Sequence, residues 1–183
     1  RNPRRMTDDT SPENLRKFLE SDNPAMVRMG ISLAKGSDIP EELYKNVFGL
    51  SLWDPEEENR EAARELVEEI GLEKITEFPK LPNYNDLKVN ELKTRLEDLG
   101  RPTTGKKSEL VERLIYSQPW RDWEILEPAI QALENIDDMR AVGLLIEILD
   151  HIPVNGHMDE IDAKIDVLGK LEEHAVEPLI KIV

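Results

Sequence analysis

Apolar residues recur every three or four positions along most of this chain, which is the spacing of amphipathic helices. Strand-like alternation of apolar and polar residues is scarce, and aromatic residues make up only 5% of the sequence. The hydrophobic fraction of 39% and the charged fraction of 34% are ordinary for a soluble helical protein. The pattern therefore predicts a nearly all-α fold.

Helix start signals divide the N-terminal part of this pattern into helical hairpins. Ser11 followed by Pro12 combines a capping residue with proline at the first helical position. Asp54 and Pro55 repeat the combination, and Glu57 completes a capping-box pattern. We therefore expect one helix to begin at Pro12 and another at Pro55.

The C-terminal part contains an internal repeat. Its apolar positions recur at a spacing equal to about the length of one helical hairpin. Ile130, Leu133 and Ile136 recur as Ile165, Leu168 and Leu171, and 141–148 recurs as 175–182. A unit of two helices joined by a short acidic turn buries its apolar face by stacking on its neighbour. The repeat predicts an α-solenoid.

The repeat resembles HEAT-type repeats in its Ala-Val-x-x-Leu-Ile-x-Ile pattern. A weaker version lies in the N-terminal part, where Arg28 and Arg60 follow similar Pro-containing turns. The resemblance implies a scaffold that binds a protein partner along its concave face.

Residues 86–116 contain two short amphipathic helices around a basic turn. Arg101, Lys106 and Lys107 lie in this turn with no acid among them, and a Thr before the second helix is a candidate N-cap. Open N–H groups at that helix start would point the same way as the lysines, an arrangement that binds phosphate. The predicted apolar faces are Val89, Leu92, Leu96 and Leu99 in the first helix and Leu110, Val111, Leu114 and Ile115 in the second.

This stretch resembles the SAP domain, a helix, extended loop and helix that binds DNA. The matching positions are 87, 89, 91–93, 96, 99–100, 102–107 and 109–114. Two positions depart from the family pattern: Arg101 stands where an apolar residue is usual, and Lys88 replaces the hydroxyl residue that often opens the first helix. The resemblance implies sequence-tolerant, often A·T-leaning binding of duplex DNA. The expected DNA contacts, mostly to phosphate, are Lys93, Arg101, Thr103, Thr104, Gly105, Lys106, Lys107 and Arg113.

The charge distribution leaves this stretch as the region most permissive for DNA. The whole chain carries a formal charge of -15, but 81–118 has seven Lys or Arg against six Asp or Glu, a net charge of +1. The remainder has 17 against 33, a net charge of -16. We therefore expect DNA affinity that is modest, on the order of micromolar, and steeply salt-dependent. A further basic cluster, Arg1, Arg4 and Arg5, opens the chain.

Two hypotheses follow from these features. In the first, the chain is a non-enzymatic DNA-binding adaptor whose SAP-like hairpin contacts duplex phosphates while the helical repeats bind a protein. In the second, the chain is an acidic HEAT-like scaffold that binds a basic protein without DNA, and the hairpin is a packing element with solvated lysines.

The sequence shows no pattern of an enzyme, a metal site or a cofactor site. The chain has no cysteine, no HExxH motif and no Walker-type phosphate loop. Paired carboxylates are too abundant for any pair to stand out as acid and base. A helical-repeat DNA glycosylase would use aromatic residues in a basic groove, but the groove here would be acidic. Trp120 and Trp123 are instead expected to anchor the hairpin to the following helices, and the widely spaced histidines are expected to be solvated or capping: His151, His157 and His174.

The predicted organisation is an all-α chain, an α-solenoid of HEAT-like helical hairpins with an inserted SAP-like helix-loop-helix. Its domains are 1–78, HEAT-like hairpins; 79–118, the SAP-like module; and 119–183, HEAT-like repeats. No apolar run reaches the roughly 20 residues that span a bilayer, and no signal-peptide pattern opens the chain. We expect an intracellular protein of the cytoplasm or nucleoid or of the nucleus, without a membrane partner. The start at Arg1 is compatible with a segment of a longer protein.

Overall fold

The computed structural model describes residues 11–151 and 168–169, and within that part the regular structure is helical and contains no strand. This confirms the all-α prediction for the described part of the chain. The helices are α1 Pro12–Leu19, α2 Pro24–Ala34, α3 Tyr44–Trp53, α4 Glu57–Ile70, α5 Val89–Asp98, α6 Lys107–Tyr116, α7 Trp123–Glu134 and α8 Met139–His151. Short 3-10 helices lie at Glu41–Leu43, Leu72–Lys74, Tyr84–Asp86 and Pro119–Arg121.

The chain divides into two compact units, Arg1–Pro79 and Lys80–Val183. The second copy of the C-terminal repeat falls outside the described residues apart from Leu168, as do His157, His174 and the cluster at Arg1. Among the helices that the structure describes, none is both long and apolar enough to cross a membrane.

The first helix begins where its sequence signal predicts. Ser11 is the N-cap of α1, and its Oγ accepts a hydrogen bond from the N–H of Asn14 at 3.3 Å, with Pro12 as the first helical residue. The capping box predicted at 54–57 is wrong. Asp54 ends α3, Glu56 is still extended, and α4 begins at Glu57. The reason is that the Asp54 side chain is buried and accepts the N–H of Glu56 at 2.9 Å, outside the helix.

The first unit consists of two hairpins, α1 with α2 and α3 with α4, which pack together through α2 and α4. A buried polar side chain bridges them: Asn59 of α4 is fully buried. Its Oδ1 accepts from Nε of Arg28, and its Nδ2 donates to the carbonyl oxygen of Pro24, both at 3.2 Å. Arg28 also forms an ion pair with Glu58. The two hairpins are therefore joined by specific hydrogen bonds as well as by apolar packing.

The second unit begins with the α5–α6 hairpin and continues into the α7–α8 hairpin. Both ends of the α5–α6 region are attached to the last turns of α8. Before it, the N–H of Leu81 donates to Oε2 of Glu147 at 3.2 Å. After it, Nη1 of Arg121 donates to the carbonyl oxygen of His151 at 3.2 Å, and the buried Trp120 ring meets the His151 ring edge-on.

The predicted anchoring by tryptophans is therefore confirmed for Trp120 but not for Trp123. Trp123 is 39% exposed because it is the first residue of α7 and precedes the helix's buried face. Arg121 adds a further link, since its guanidinium lies 4.7 Å from the centre of the Tyr116 ring at the end of α6. The segments on either side of α5 and α6 are thus both held to the last turns of α8.

Candidate nucleic-acid interface

A small apolar core fixes the two helices of the hairpin. The buried residues are Tyr84, Leu92, Leu96, Leu110, Val111 and Leu114, with Leu87 and Ile115 packed at the edge. The predicted core residues Leu92 and Leu96 are fully buried, whereas Val89 and Leu99 are 38% and 41% exposed. Val89 is the first residue of α5 and Leu99 is its C-cap, so neither is covered by the facing helix.

Tyr84 is the core residue that sequence periodicity missed. It lies in the 3-10 helix before α5, where no helical repeat of apolar positions exists to identify it. Its ring completes the core that α5 and α6 form and brings residues 84–86 against α6. As a result, the backbone near Asn85 lies within reach of the start of α6.

The end of α5 directs the chain into the loop. Gly100 has a φ of +62. Its N–H donates to the carbonyl oxygen of Glu97 at 2.9 Å, and the N–H of Arg101 donates to the carbonyl oxygen of Leu96 at 2.7 Å. These two hydrogen bonds form a Schellman motif, which satisfies the last helical carbonyls and favours glycine at the left-handed position. The motif leaves the Arg101 side chain exposed at the start of the loop.

The predicted N-capping of α6 by a threonine is wrong. Lys106 occupies the N-cap position, and Oε2 of Glu109 accepts its N–H at 2.7 Å. A lysine side chain cannot accept a hydrogen bond, so only the glutamate half of a capping box is present. Helix α5 begins in the same way, with the N–H of Lys88 donated to Glu91 at 2.7 Å. The helix starts too late for Thr103 or Thr104 to cap it.

Gly105 is required by the geometry of this helix start. Its φ is +122, a value that side-chain-bearing residues rarely adopt. A Cβ at this position would lie 2.4 Å from Oε2 of Glu109. The glycine therefore allows the Glu109 carboxylate to reach back over the loop and bind the N–H of Lys106.

The residues predicted to contact DNA lie mainly in one loop. Residues 101–107 form a continuous segment in which every residue is exposed except the half-buried Thr103. Lys93 lies apart, on the exposed side of α5, and Arg113 is half-buried on α6. The side chains of Lys93, Arg101 and Lys106 have no hydrogen-bond or ion-pair partner among the described residues.

Two of the predicted basic residues are instead bound to the protein backbone. Nζ of Lys107 donates to the carbonyl oxygen of Asn85 at 2.7 Å. Nη1 of Arg113 donates to the carbonyl oxygens of Pro102 at 2.6 Å and Thr104 at 3.0 Å. Sequence reasoning had no signal for these contacts, because they join side chains to backbone atoms far away in the chain.

The loop and the start of α6 together present positive charge that favours the binding of an anion. The N–H groups of Lys107, Ser108 and Glu109 precede the first intrahelical hydrogen bond of α6 and have no acceptor in the described part of the chain. They lie at the positive end of the helix dipole beside exposed Lys106, while the Glu109 carboxylate offsets part of that charge. Such a surface can bind phosphate, a contact that positions a protein on a duplex without reading its sequence. Within 11–151 and 168–169, no cluster of side chains could hold a metal ion.

Comparison with known proteins agrees with this geometry. Residues 83–117 match the family model of the SAP domain. No curated protein and no solved structure matches the chain significantly. The matched residues cover the 3-10 helix at Tyr84, both helices of the hairpin and the whole basic loop, and the match does not extend to the flanking helices. The chain therefore contains a SAP domain, a nucleic-acid-binding module, at residues 83–117.

Proposed function

We propose that this chain is a non-enzymatic DNA-binding adaptor. The SAP domain binds the phosphates of duplex DNA through the loop 101–107, and the helical-repeat body binds a protein partner. The observation that supports DNA binding most directly is the exposed basic loop, in which Lys106 adjoins the open N–H groups at the start of α6. Neither Arg101 nor Lys106 has a side-chain partner within 11–151 and 168–169. Contacts from Lys93, Lys107 and the Thr hydroxyls would extend the same phosphate surface.

The distribution of charge limits how DNA can approach. Residues 81–118 carry a net charge of +1 and the remainder of the chain -16, so the net charge of the rest of the chain disfavours contact with a duplex. With few cations available, the affinity should be on the order of micromolar and strongly reduced by salt. Binding through phosphates makes it largely tolerant of DNA sequence. A DNA-associated location inside the cell follows from this proposal.

The adaptor role rests on the helices that flank the SAP domain, which we propose are HEAT-like. In support, α1–α2 and α3–α4 are successive hairpins packed through α2 and α4. Arg28 of one hairpin binds Asn59 of the next, and Arg60 donates to the carbonyl oxygen of Asp54 at 2.7 Å. Both second helices carry an arginine near their start, although Arg28 binds residues of α4 and Arg60 binds the turn before its own helix. Successive packed hairpins are consistent with a repeated unit that presents one face to a protein partner.

Charge reversal at the loop tests the DNA-binding proposal. Lys106→Glu/Lys107→Glu should weaken the binding of a short labelled duplex by more than about tenfold at low salt, because it replaces attraction to phosphate with repulsion. Lys17→Glu/Lys74→Glu is the matched control, since it changes the net charge equally at exposed positions of the first unit. Fluorescence anisotropy measures both. Equal loss in the two variants would mean that general repulsion, not the loop, controls binding.

A second candidate function is an acidic scaffold that binds a basic protein without DNA. The net charge of -16 outside 81–118 favours it. In this case the wild-type protein would show no saturable duplex binding even at low salt, while a lysine-rich peptide would bind equally well to the wild type and to Lys106→Glu/Lys107→Glu. The adaptor instead requires saturable duplex binding by the wild type that Lys106→Glu/Lys107→Glu weakens.

A further inference from the structure

Arg113 differs from the other basic residues near the loop because its guanidinium is already engaged by the protein. A single nitrogen, Nη1, donates to the carbonyl oxygens of Pro102 and Thr104 at 2.6 and 3.0 Å. Nη1 carries two hydrogens, so each carbonyl receives one of them. Arg113 is also half-buried, whereas Arg101 and Lys106 are exposed.

These two hydrogen bonds connect the middle of the loop to the rest of the domain. At one end of the loop, the N–H of Arg101 donates a hydrogen bond to the carbonyl oxygen of Leu96. At the other end, the N–H of Lys106 donates to the carboxylate of Glu109. Between those points, residues 102–105 form no backbone–backbone hydrogen bond in the described structure, and their hydrogen bonds to side chains come from Arg113. Without Arg113 the loop would be anchored only at its ends.

We propose that Arg113 is a positioning residue that holds the loop in the shape that presents Arg101, Thr104 and Lys106 to phosphate. It acts through the loop backbone and does not itself neutralise a phosphate. This inference rests on the proposed DNA binding for its functional part, but the bracing of the loop exists independently of DNA and can be measured without it.

Arg113→Lys separates bracing from charge. A lysine keeps the positive charge, but its side chain is one bond shorter than that of arginine, so its ammonium falls short of the position from which Nη1 reaches both carbonyl oxygens. Arg95→Lys is the matched control, because Arg95 is exposed on α5 and has no partner among the described residues. Arg113→Gln removes the charge as well as the brace.

The first measurement is backbone ¹⁵N relaxation of the free proteins. In Arg113→Lys the order parameters of Thr103 to Gly105 should fall from about 0.85, typical of rigid backbone, to below about 0.6, while those of α5 and α6 stay unchanged. Arg95→Lys should leave the loop rigid. A loop that stays rigid in Arg113→Lys would overturn the proposal. A loss of order throughout both helices would also overturn it, since Arg113 would then stabilise the domain as a whole.

The second measurement is duplex affinity as a function of salt. Both Arg113 variants should bind several-fold more weakly than wild type with an unchanged salt slope, because the number of neutralised phosphates is the same. A slope reduced by about 0.9 in Arg113→Gln, together with wild-type affinity in Arg113→Lys, would identify a direct phosphate contact instead and overturn the inference. Failure of the wild-type protein to bind DNA would refute the proposed function alone, because the relaxation data still decide whether Arg113 braces the loop.

Discussion

Replacing Gly105 with alanine should destabilise the SAP domain much more than the same change at Gly100. Both glycines have positive φ, +122 and +62, and both lie in the connection between α5 and α6. They differ in their surroundings: a Cβ at Gly100 would meet nothing within 4 Å, whereas one at Gly105 would lie 2.4 Å from Oε2 of Glu109. The comparison therefore separates backbone strain from the loss of the helix start.

The expected magnitudes follow from these contacts. At Gly100, placing alanine in the left-handed region costs about 1 to 2 kcal/mol of folding free energy. Alanine also restricts the unfolded chain, which offsets about 0.4 to 1 kcal/mol of that cost. At Gly105 the backbone strain is about 1 to 3 kcal/mol. Displacing Glu109 also removes its hydrogen bond to the N–H of Lys106, worth about 0.5 to 2 kcal/mol by analogy with other helix caps. We expect a net loss near 1 kcal/mol for Gly100→Ala and about 2 to 4 kcal/mol for Gly105→Ala.

Native-state hydrogen exchange is the appropriate assay, because it measures the free energy of opening amide by amide and so follows one part of the chain at a time. The amides of Leu96 and Leu114, buried residues in the second halves of α5 and α6, report the free energy of opening of these two helices. A loss in Gly105→Ala no greater than that in Gly100→Ala would contradict the role assigned to Glu109. A Gly143→Ala control, in the interior of α8 with nothing within 4 Å of the new Cβ, should leave these amides unchanged.

Two further predictions concern carboxylates. Glu109→Gln keeps an oxygen that can accept the N–H of Lys106 but removes a negative charge beside the loop. The affinity for a duplex at low salt should therefore rise about two- to fivefold. Weaker binding of the variant in fluorescence anisotropy would contradict this. Burial raises the pKa of Asp54 above its ordinary 3.8, against the lowering effect of hydrogen bonds from Glu56 and Asn59. The stability that neutral Asp54 contributes is therefore complete below pH 3.8 and is lost as the pH rises through the folded-state pKa. The measurement is the free energy of chemical unfolding of the wild type minus that of Asp54→Asn, followed by a probe in the first unit. This difference should fall as the pH rises across that range. A rise would show that the charged carboxylate stabilises the fold.

Local signals in the sequence predicted much of this structure. The step of four between Leu92 and Leu96, and again between Leu110 and Leu114, identifies fully or almost fully buried positions. The order of Ser11 and Pro12 places the start of α1 correctly because both residues act within one turn.

The features that sequence patterns missed depend on contacts between distant residues. Asp54 occupies a capping-box position by its spacing, but it is buried in a turn before the helix begins. Tyr84 enters the hairpin core from outside any helical repeat. Arg113 has the spacing of a surface cation, and only the folded loop brings two carbonyl oxygens to it. Residue spacing alone cannot reveal such pairings, because it describes neighbours along one element.

The most direct test of the account is the salt dependence of duplex binding by the wild-type protein and by Lys106→Gln. If the loop neutralises three or four phosphates, the logarithm of the association constant should fall with the logarithm of salt concentration with a slope of about -3 to -4, and Lys106→Gln should reduce that slope by about one. Absence of saturable binding at low salt, or a slope that Lys106→Gln leaves unchanged, would contradict the claim that this loop is the DNA-binding surface.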